Sequence, residues 1–286
     1  KRSAEQFCKQ VPTYRGEKAF TSGPVYMGAI VCFLFVLGLL IVRGPYKWAL
    51  LVATLFSVAL AWGRNMMWLT ELFFNYFPMY NKFRAVESIL VVAEITMPLL
   101  GMLALQQIVE KKIEWIKLRP ALFVAAGITG GLCLVFALFA GAVDVTSSYD
   151  SQWVSQVPAW LKDAILDERV AMIKADAWRS LIFIVLGAGL VYWYAYQTQK
   201  EEKKKYCYVL YSVLAVLVLA DMVPVNKRFF GNDHFVRAKD ADAYFAIQPY
   251  EQQILQDESY YRVLNLATNT FNDARTSYRL KSIGGY

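Results

Sequence analysis

Six long apolar runs govern what this 286-residue chain can become. A helix of roughly 20 apolar residues crosses a bilayer core of about 30 Å. The runs 24–42, 45–62, 86–109, 120–143, 180–199 and 206–225 reach or approach that length, the second being the shortest. Hydrocarbon offers backbone amides no water, so a spanning segment must satisfy its own N–H and C=O groups, as a helix does. The runs are continuous and do not alternate, which argues against the strand pattern of a barrel. The expected fold class is an all-α polytopic membrane protein with about six transmembrane helices. Surface amphipathic helices and the start of an external α/β domain are expected beside them. Residues 1–23 read as an external segment, 24–225 as the transmembrane domain and 226–286 as an external soluble domain.

Basic residues give the runs a direction. Loops 43–47, 110–119 and 200–205 hold ten Lys or Arg in 21 positions, whereas 63–85 and 144–179 hold seven in 59. Dense and sparse loops alternate, as six crossings require, and dense loops face the cytoplasm. The two long loops, the N-terminal stretch and the segment from Asn226 onward then face outward, across a bacterial inner membrane. The net charge of +7 would point to nucleic acid in a soluble chain. Here the loop bias accounts for it, so membrane lipids and not nucleic acid are the expected partners. The chain starts at Lys1 with no signal-peptide pattern and stops at Gly284-Gly285-Tyr286. It is expected to be a piece of a longer protein, with upstream helices that bring Lys1 outside.

Some chemistry is nearly excluded. There are four cysteines without CxxC spacing and a single histidine, His234. Neither a zinc site nor a Ser-His-Asp triad is expected, and no metal or cofactor.

Other residues are candidates. Residues 66–77 (MMWLTELFFNYF) suit an amphipathic helix along the membrane surface, ending at Pro78. Tyr80, Asn81, Lys82 and Arg84 follow at the outer interface. They suit a lipid phosphate, which Arg contacts through two parallel hydrogen bonds, or plain anchoring by snorkelling cations. Loop 144–179 carries a second helical pattern over 159–177, expected on the outer surface. Its acids, including Asp150 and Asp176, read mostly as a solvated face. Glu94 sits eight residues into the third run, four before Pro98. A carboxylate at that depth is expected to face the bundle interior or a wet cavity; with the kink at Pro98 it marks a polar cavity opening outward, or else it is protonated and hydrogen-bonded to a neighbouring helix. Asp221, with Arg228 beyond it, either lines the same polar cavity or marks the end of the last span. In the tail, 238–257 reads as a helix, and 261–267 and 277–283 as strands.

Three stretches carry a family likeness: FNYFPMYNKFRAVESILVVAEITMPL at 74–99, DMVPVNKRFF at 221–230, and YRVLNLATNTFNDARTSYRLKSIGGY at 261–286. They resemble YfhO-like bacterial membrane proteins of the Bacteroidetes type, and the resemblance extends over nearly the whole chain. It implies a multi-spanning glycosyltransferase of the GT-C class, which takes sugar from a polyprenyl-phosphate carrier on the outer face. In that class the catalytic acid lies on the first external loop, upstream of a piece such as this, so the catalytic residues are unknown. The resemblance also implies Lys82 and Arg84 as carrier-phosphate contacts. A transporter or flippase of a lipid-linked substrate, and a non-enzymatic membrane subunit, stand as alternatives.

Overall fold

A computed structural model of the chain describes residues 25–82, 86–146, 150, 158–200, 204–269, 271 and 274–284. The expected external segment 1–23 lies outside these residues. The chain divides into two units, one ending at Phe229 and the other starting at Phe230.

Among its described residues the first unit has the α-helices α1 (Ala29–Ile41), α2 (Tyr46–Ala61), α3 (Met67–Tyr76), α4 (Val91–Val109), α5 (Trp115–Leu138), α6 (Ala159–Lys200) and α7 (Lys204–Phe229). A one-turn-and-a-half 3-10 stretch, Val86–Leu90, leads into α4. Among the described residues, Val86–Val109, Trp115–Leu138 and Lys205–Phe229 are long and apolar enough to cross a membrane. A fourth crossing is counted if α2 and the following Gly63–Tyr76 segment, bent by 107°, form one broken span. These helices fit a multi-pass membrane protein. The surface agrees: Val52, Leu55, Ile128, Leu132, Val216 and Leu219 are all exposed. Water would penalise so much apolar surface, whereas lipid accepts it.

Six full-length spans are not what the described helices provide. α1 has only 13 residues, about 20 Å of helix. Residues 25–28 lead into it as non-helical backbone, with Gly28 as the cap position, where one uninterrupted span was expected. The apolar 180–199 run is the second half of a 42-residue helix, about 63 Å long. The 159–177 segment is therefore not a separate surface helix. Ala177-Trp178-Arg179-Ser180 contains neither Gly nor Pro, so nothing in the sequence stops the helix there.

The short α1 is the core of the unit. Eight of its 13 residues are buried, and it packs against α4, α5 and α6. Ile30, Phe33 and Leu37 are fully enclosed. Lipid tails are as apolar as leucine, so helices in a membrane associate through close fit. Glycine supplies that fit where α1 meets α4 and α6, and where α5 meets α6. A Cβ on Gly38 would lie 2.7 Å from the Leu100 side chain and 2.8 Å from its carbonyl oxygen. Gly101 meets Leu34, Gly187 meets Ile30, and Gly130 meets Leu181 across α5 and α6.

The second unit holds three short helices, α8 (Ala238–Tyr244), α9 (Pro249–Leu255) and α10 (Ala274–Arg279). The expected helix 238–257 is broken because Pro249 lacks the N–H that would continue it, and starts a new helix instead. The expected strands are not formed among the described residues. Among the described residues 261–267 pair through a single parallel bridge, Val263 with Ser282, and 277–279 belong to α10. The anticipated α/β domain is thus helical with one bridge.

The glycine contacts set a stability test. Gly38→Ala is expected to cost about 1–3 kcal/mol by overpacking, seen as a lower thermal midpoint in detergent. Gly131, whose Cβ position is open within 4 Å, is the control. Gly131→Ala should leave the midpoint unchanged or raise it.

Candidate functional site

A buried carboxylate organises the end of the bundle where α7 finishes. Asp221 is fully enclosed. Its Oδ2 accepts the Ala29 backbone N–H at 2.7 Å and its Oδ1 accepts the Tyr26 hydroxyl at 2.7 Å. The first N–H groups of a helix have no partner within the helix, and a carboxylate there also meets the positive end of the helix dipole. Local capping is missing here, because Gly28 at the cap position has no side chain and no side-chain cap bond forms. Gly28 has φ +88°, a conformation favoured by glycine. A Cβ there would also sit 3.5 Å from Asp221 Oδ2. An aspartate 192 residues away in sequence thus caps α1.

Three arginines surround this point, each differently held. Arg169 is sealed: it donates twice to Asp150 (2.7 and 2.9 Å) and once to the Val145 carbonyl (2.8 Å). Arg228 makes a two-pronged pair with Asp176 at 2.7 and 2.8 Å, partly exposed. Arg179 is loose. Its closest bond is 3.5 Å, to the Asp221 carbonyl. The Asp221 and Asp176 carboxylates lie 3.8 Å away, and its buried Nε has no hydrogen-bond partner among the described residues. Its guanidinium sits 5.4 Å from the Tyr26 ring centroid.

The three arginines, with Tyr26 and Asp176 but not Asp221 or Asp150, line a cavity of about 440 Å³ between α5, α6 and α7. Leu132, Phe136, Met172, Ile173, Val225 and Phe229 give it apolar walls, and Tyr26, Arg169, Asp176, Arg179, Ser180 and Arg228 its polar positions. The three arginines are matched by Asp150, Asp176 and Asp221, so the assembly is formally neutral. Such a space suits a molecule with an apolar body and an anionic end, because Arg179 has donor capacity that the protein does not use. No group of three or more His, Cys, Asp or Glu suited to a metal is found among the described residues.

The residues singled out by sequence are placed apart. Tyr80, Asn81 and Lys82 form a 3-10 turn after α3. Asn81 and Lys82 are exposed. The Tyr80 ring packs on Phe73 at 5.6 Å; its hydroxyl is buried without a partner among the described residues, and burial raises its pKa. Arg84 lies outside the described residues. None of Tyr80, Asn81 and Lys82 lines the cavity. Asp221 and Arg228 do come together, bridged by Arg179 and Asp176. Glu94 does not join them: it is exposed in the first turn of α4 and does not line the cavity. Sequence reasoning missed Tyr26, Arg169, Asp176 and Arg179. The available signal was the spacing of 169, 176 and 179/180, which puts a polar stripe along one side of an otherwise apolar helix.

No protein-family model, curated protein or solved structure matches the chain.

Asp221→Ala would strand the Ala29 N–H and the Tyr26 hydroxyl in a buried place. The expected loss is about 3 kcal/mol, from roughly 1–3 kcal/mol per orphaned group. Thermal unfolding in detergent measures it, and Asp221→Asn, which keeps an acceptor oxygen, should fall between wild type and alanine.

Proposed function

We propose that the chain is the membrane part of a YfhO-like, GT-C-type protein that holds the phosphate end of a polyprenyl-linked sugar in the Arg179 cavity. The observation that carries this reading is the loosely held guanidinium of Arg179 beside apolar walls open to the bundle surface. A polyprenyl phosphate has the matching parts, a long apolar chain and an anionic head. Arg binds phosphate through a planar fork of donors. The site proposed is therefore the α5–α7 cavity, with Lys82 and Arg84 as a second candidate position; of these two, Lys82 is described and exposed.

The reading includes six crossings: α1 with its lead-in, α2 with its bend, α4, α5, the second half of α6, and α7. The basic loops face the cytoplasm, which puts the cavity near the outer face, where the donor sugar is used. The residue that performs the transfer is not assigned. One observation favours a second reading, translocation of a lipid-linked substrate. α1 starts inside the bundle after a non-helical lead-in, and discontinuous helices of this kind line substrate sites in transporters.

Two experiments test the proposal. In the full-length protein in nanodiscs, Arg179→Ala is expected to weaken binding of a polyprenyl phosphate at least tenfold, since a charged hydrogen bond contributes about 1.5–3 kcal/mol. Lys82→Ala should change it less. Unchanged binding in Arg179→Ala removes the cavity from consideration, and loss only in Lys82→Ala moves the site to the 80–84 turn. For the crossings, single cysteines replace residues in a cysteine-free background in intact cells. A membrane-impermeant maleimide should label position 162 and spare position 112; the reverse pattern would invert the orientation.

A further inference from the structure

The chain leaves α7 through two cations and two phenylalanines, Lys227 to Phe230. Lys205–Phe229 is long and apolar enough to cross a membrane. Its 25 residues make a helix of about 37 Å. A bilayer core of about 30 Å leaves several ångströms of that length for the headgroup layers. Lys227 and Arg228, in the last turn, mark the end that reaches the headgroups, because cations near a span end extend to the interface. In a membrane Phe229 therefore sits at headgroup depth. Phe230 follows one Cα step further on, about 3.8 Å.

The next residues do not carry the chain away. Asn232–His234 form a 3-10 turn. The His234 and Phe235 N–H groups close it, donating to the Gly231 and Asn232 carbonyls at 3.1 and 3.2 Å. The turn brings the Phe235 ring back edge-on to the Phe230 ring at 5.0 Å, and stacks His234 on Phe230 at 5.4 Å. An extended chain would instead separate residues 230 and 235 by about 17 Å. The rings thus form one knot beside the point where the span ends. The knot is bare: Phe230, Phe235 and Val236 are 60%, 66% and 71% exposed. Arg237 and Lys239 next to it are exposed too. From Lys227 to Lys239 the sequence has four basic residues against one acid, Asp233. One of the four, Arg228, is bonded to Asp176.

We propose that Phe230, His234, Phe235 and Val236 form a membrane anchor. The knot rests in the phospholipid headgroup layer at the end of α7, with Arg237 and Lys239 against lipid phosphates. Apolar and aromatic side chains flanked by cations settle at that depth, at the boundary of headgroups and acyl chains. Lipid shields these rings from water without a protein partner, and the excess of cations matches the anionic phosphates. The acids Asp240 and Asp242 come later, in α8. Such an anchor holds the beginning of the second unit at the membrane surface. The inference rests on the membrane reading and is independent of the ligand in the cavity.

The test is lipid-quenched fluorescence of the full-length protein in proteoliposomes of phosphatidylethanolamine and phosphatidylglycerol. Val236→Cys in a cysteine-free background carries an environment-sensitive dye. A lipid with a nitroxide on its headgroup should quench this dye more strongly than a lipid with the nitroxide deep in its acyl chain. The same dye at Val216, exposed along α7, should show the reverse preference. Phe230→Ser with Phe235→Ser should remove most of the quenching at 236 and leave that at 216 unchanged. Absence of lipid quenching at 236 beside normal quenching at 216 overturns the anchor, whether water or protein covers the dye. Absence at both positions overturns the membrane reading as well. Full quenching at 236 in the serine variant also overturns the anchor, since the rings would then not hold the segment in lipid. Should that variant fail to fold, the dye at 236 in the otherwise unaltered chain decides by itself.

Discussion

The arrangement of the first unit hangs on the carboxylate of Asp221. It closes the N-terminus of α1, receives the Tyr26 hydroxyl, and stands next to Arg179. Three segments far apart in sequence, the lead-in to α1, the middle of α6 and the last turns of α7, therefore meet at one acid. A helix that begins inside an apolar bundle needs such a partner. Its first N–H groups have no intrahelical acceptor, and the bundle supplies no water. The same acid receives the helix start after the non-helical lead-in 25–28, and this lead-in puts Tyr26 at the cavity.

Around that anchored helix the packing is set by glycine. Gly38 and Gly101 let α1 and α4 approach backbone to backbone, and Gly187 on α6 receives the Ile30 side chain. This close fit gives a 13-residue helix its central place. α6 is the opposite case, a helix twice as long as a span needs. Its length brings Arg169, Asp176 and Arg179 into one stripe that passes from the apolar bundle into the loop region. Arg169 at its upper part fixes Val145 and Asp150, so the stripe ties the connection after α5 to the cavity wall.

Much of the helical layout was legible in the sequence, and the limits have physical causes. The 86–109 run became a candidate crossing with those bounds, and 206–225 lies within α7. The 120–143 run is shifted to Trp115–Leu138 because hydropathy reads side chains, whereas a helix end is decided by backbone partners. Pro120 reads as a helix start but sits within the early turns of α5. The tail read as strands from alternation, yet a lone alternating segment has nothing to pair with beyond Ser282. Of the candidate site residues, Asp221 and Arg228 stood out as charges at a span end. Their partners did not, because Arg228 and Asp176 are 52 residues apart, and only the packing of α6 on α7 brings them into reach.

Charge balance lets three arginines share the surroundings of one cavity. Three guanidinium groups beside an apolar wall would repel one another and attract water, and three aspartates remove that strain. The balance is unequal in geometry. Arg169 is saturated at 2.7–2.9 Å, Arg228 is paired but reachable, and Arg179 is held at 3.5 Å or more. Breaking a sealed pair in low dielectric leaves a bare charge and is costly. An anion arriving at Arg179 breaks no short bond, and Arg228 is the next donor available to it. In the proposed reading the ordering of these three pairs, from sealed to loose, therefore decides where a phosphate settles, and Asp221 sets the position of the loose one.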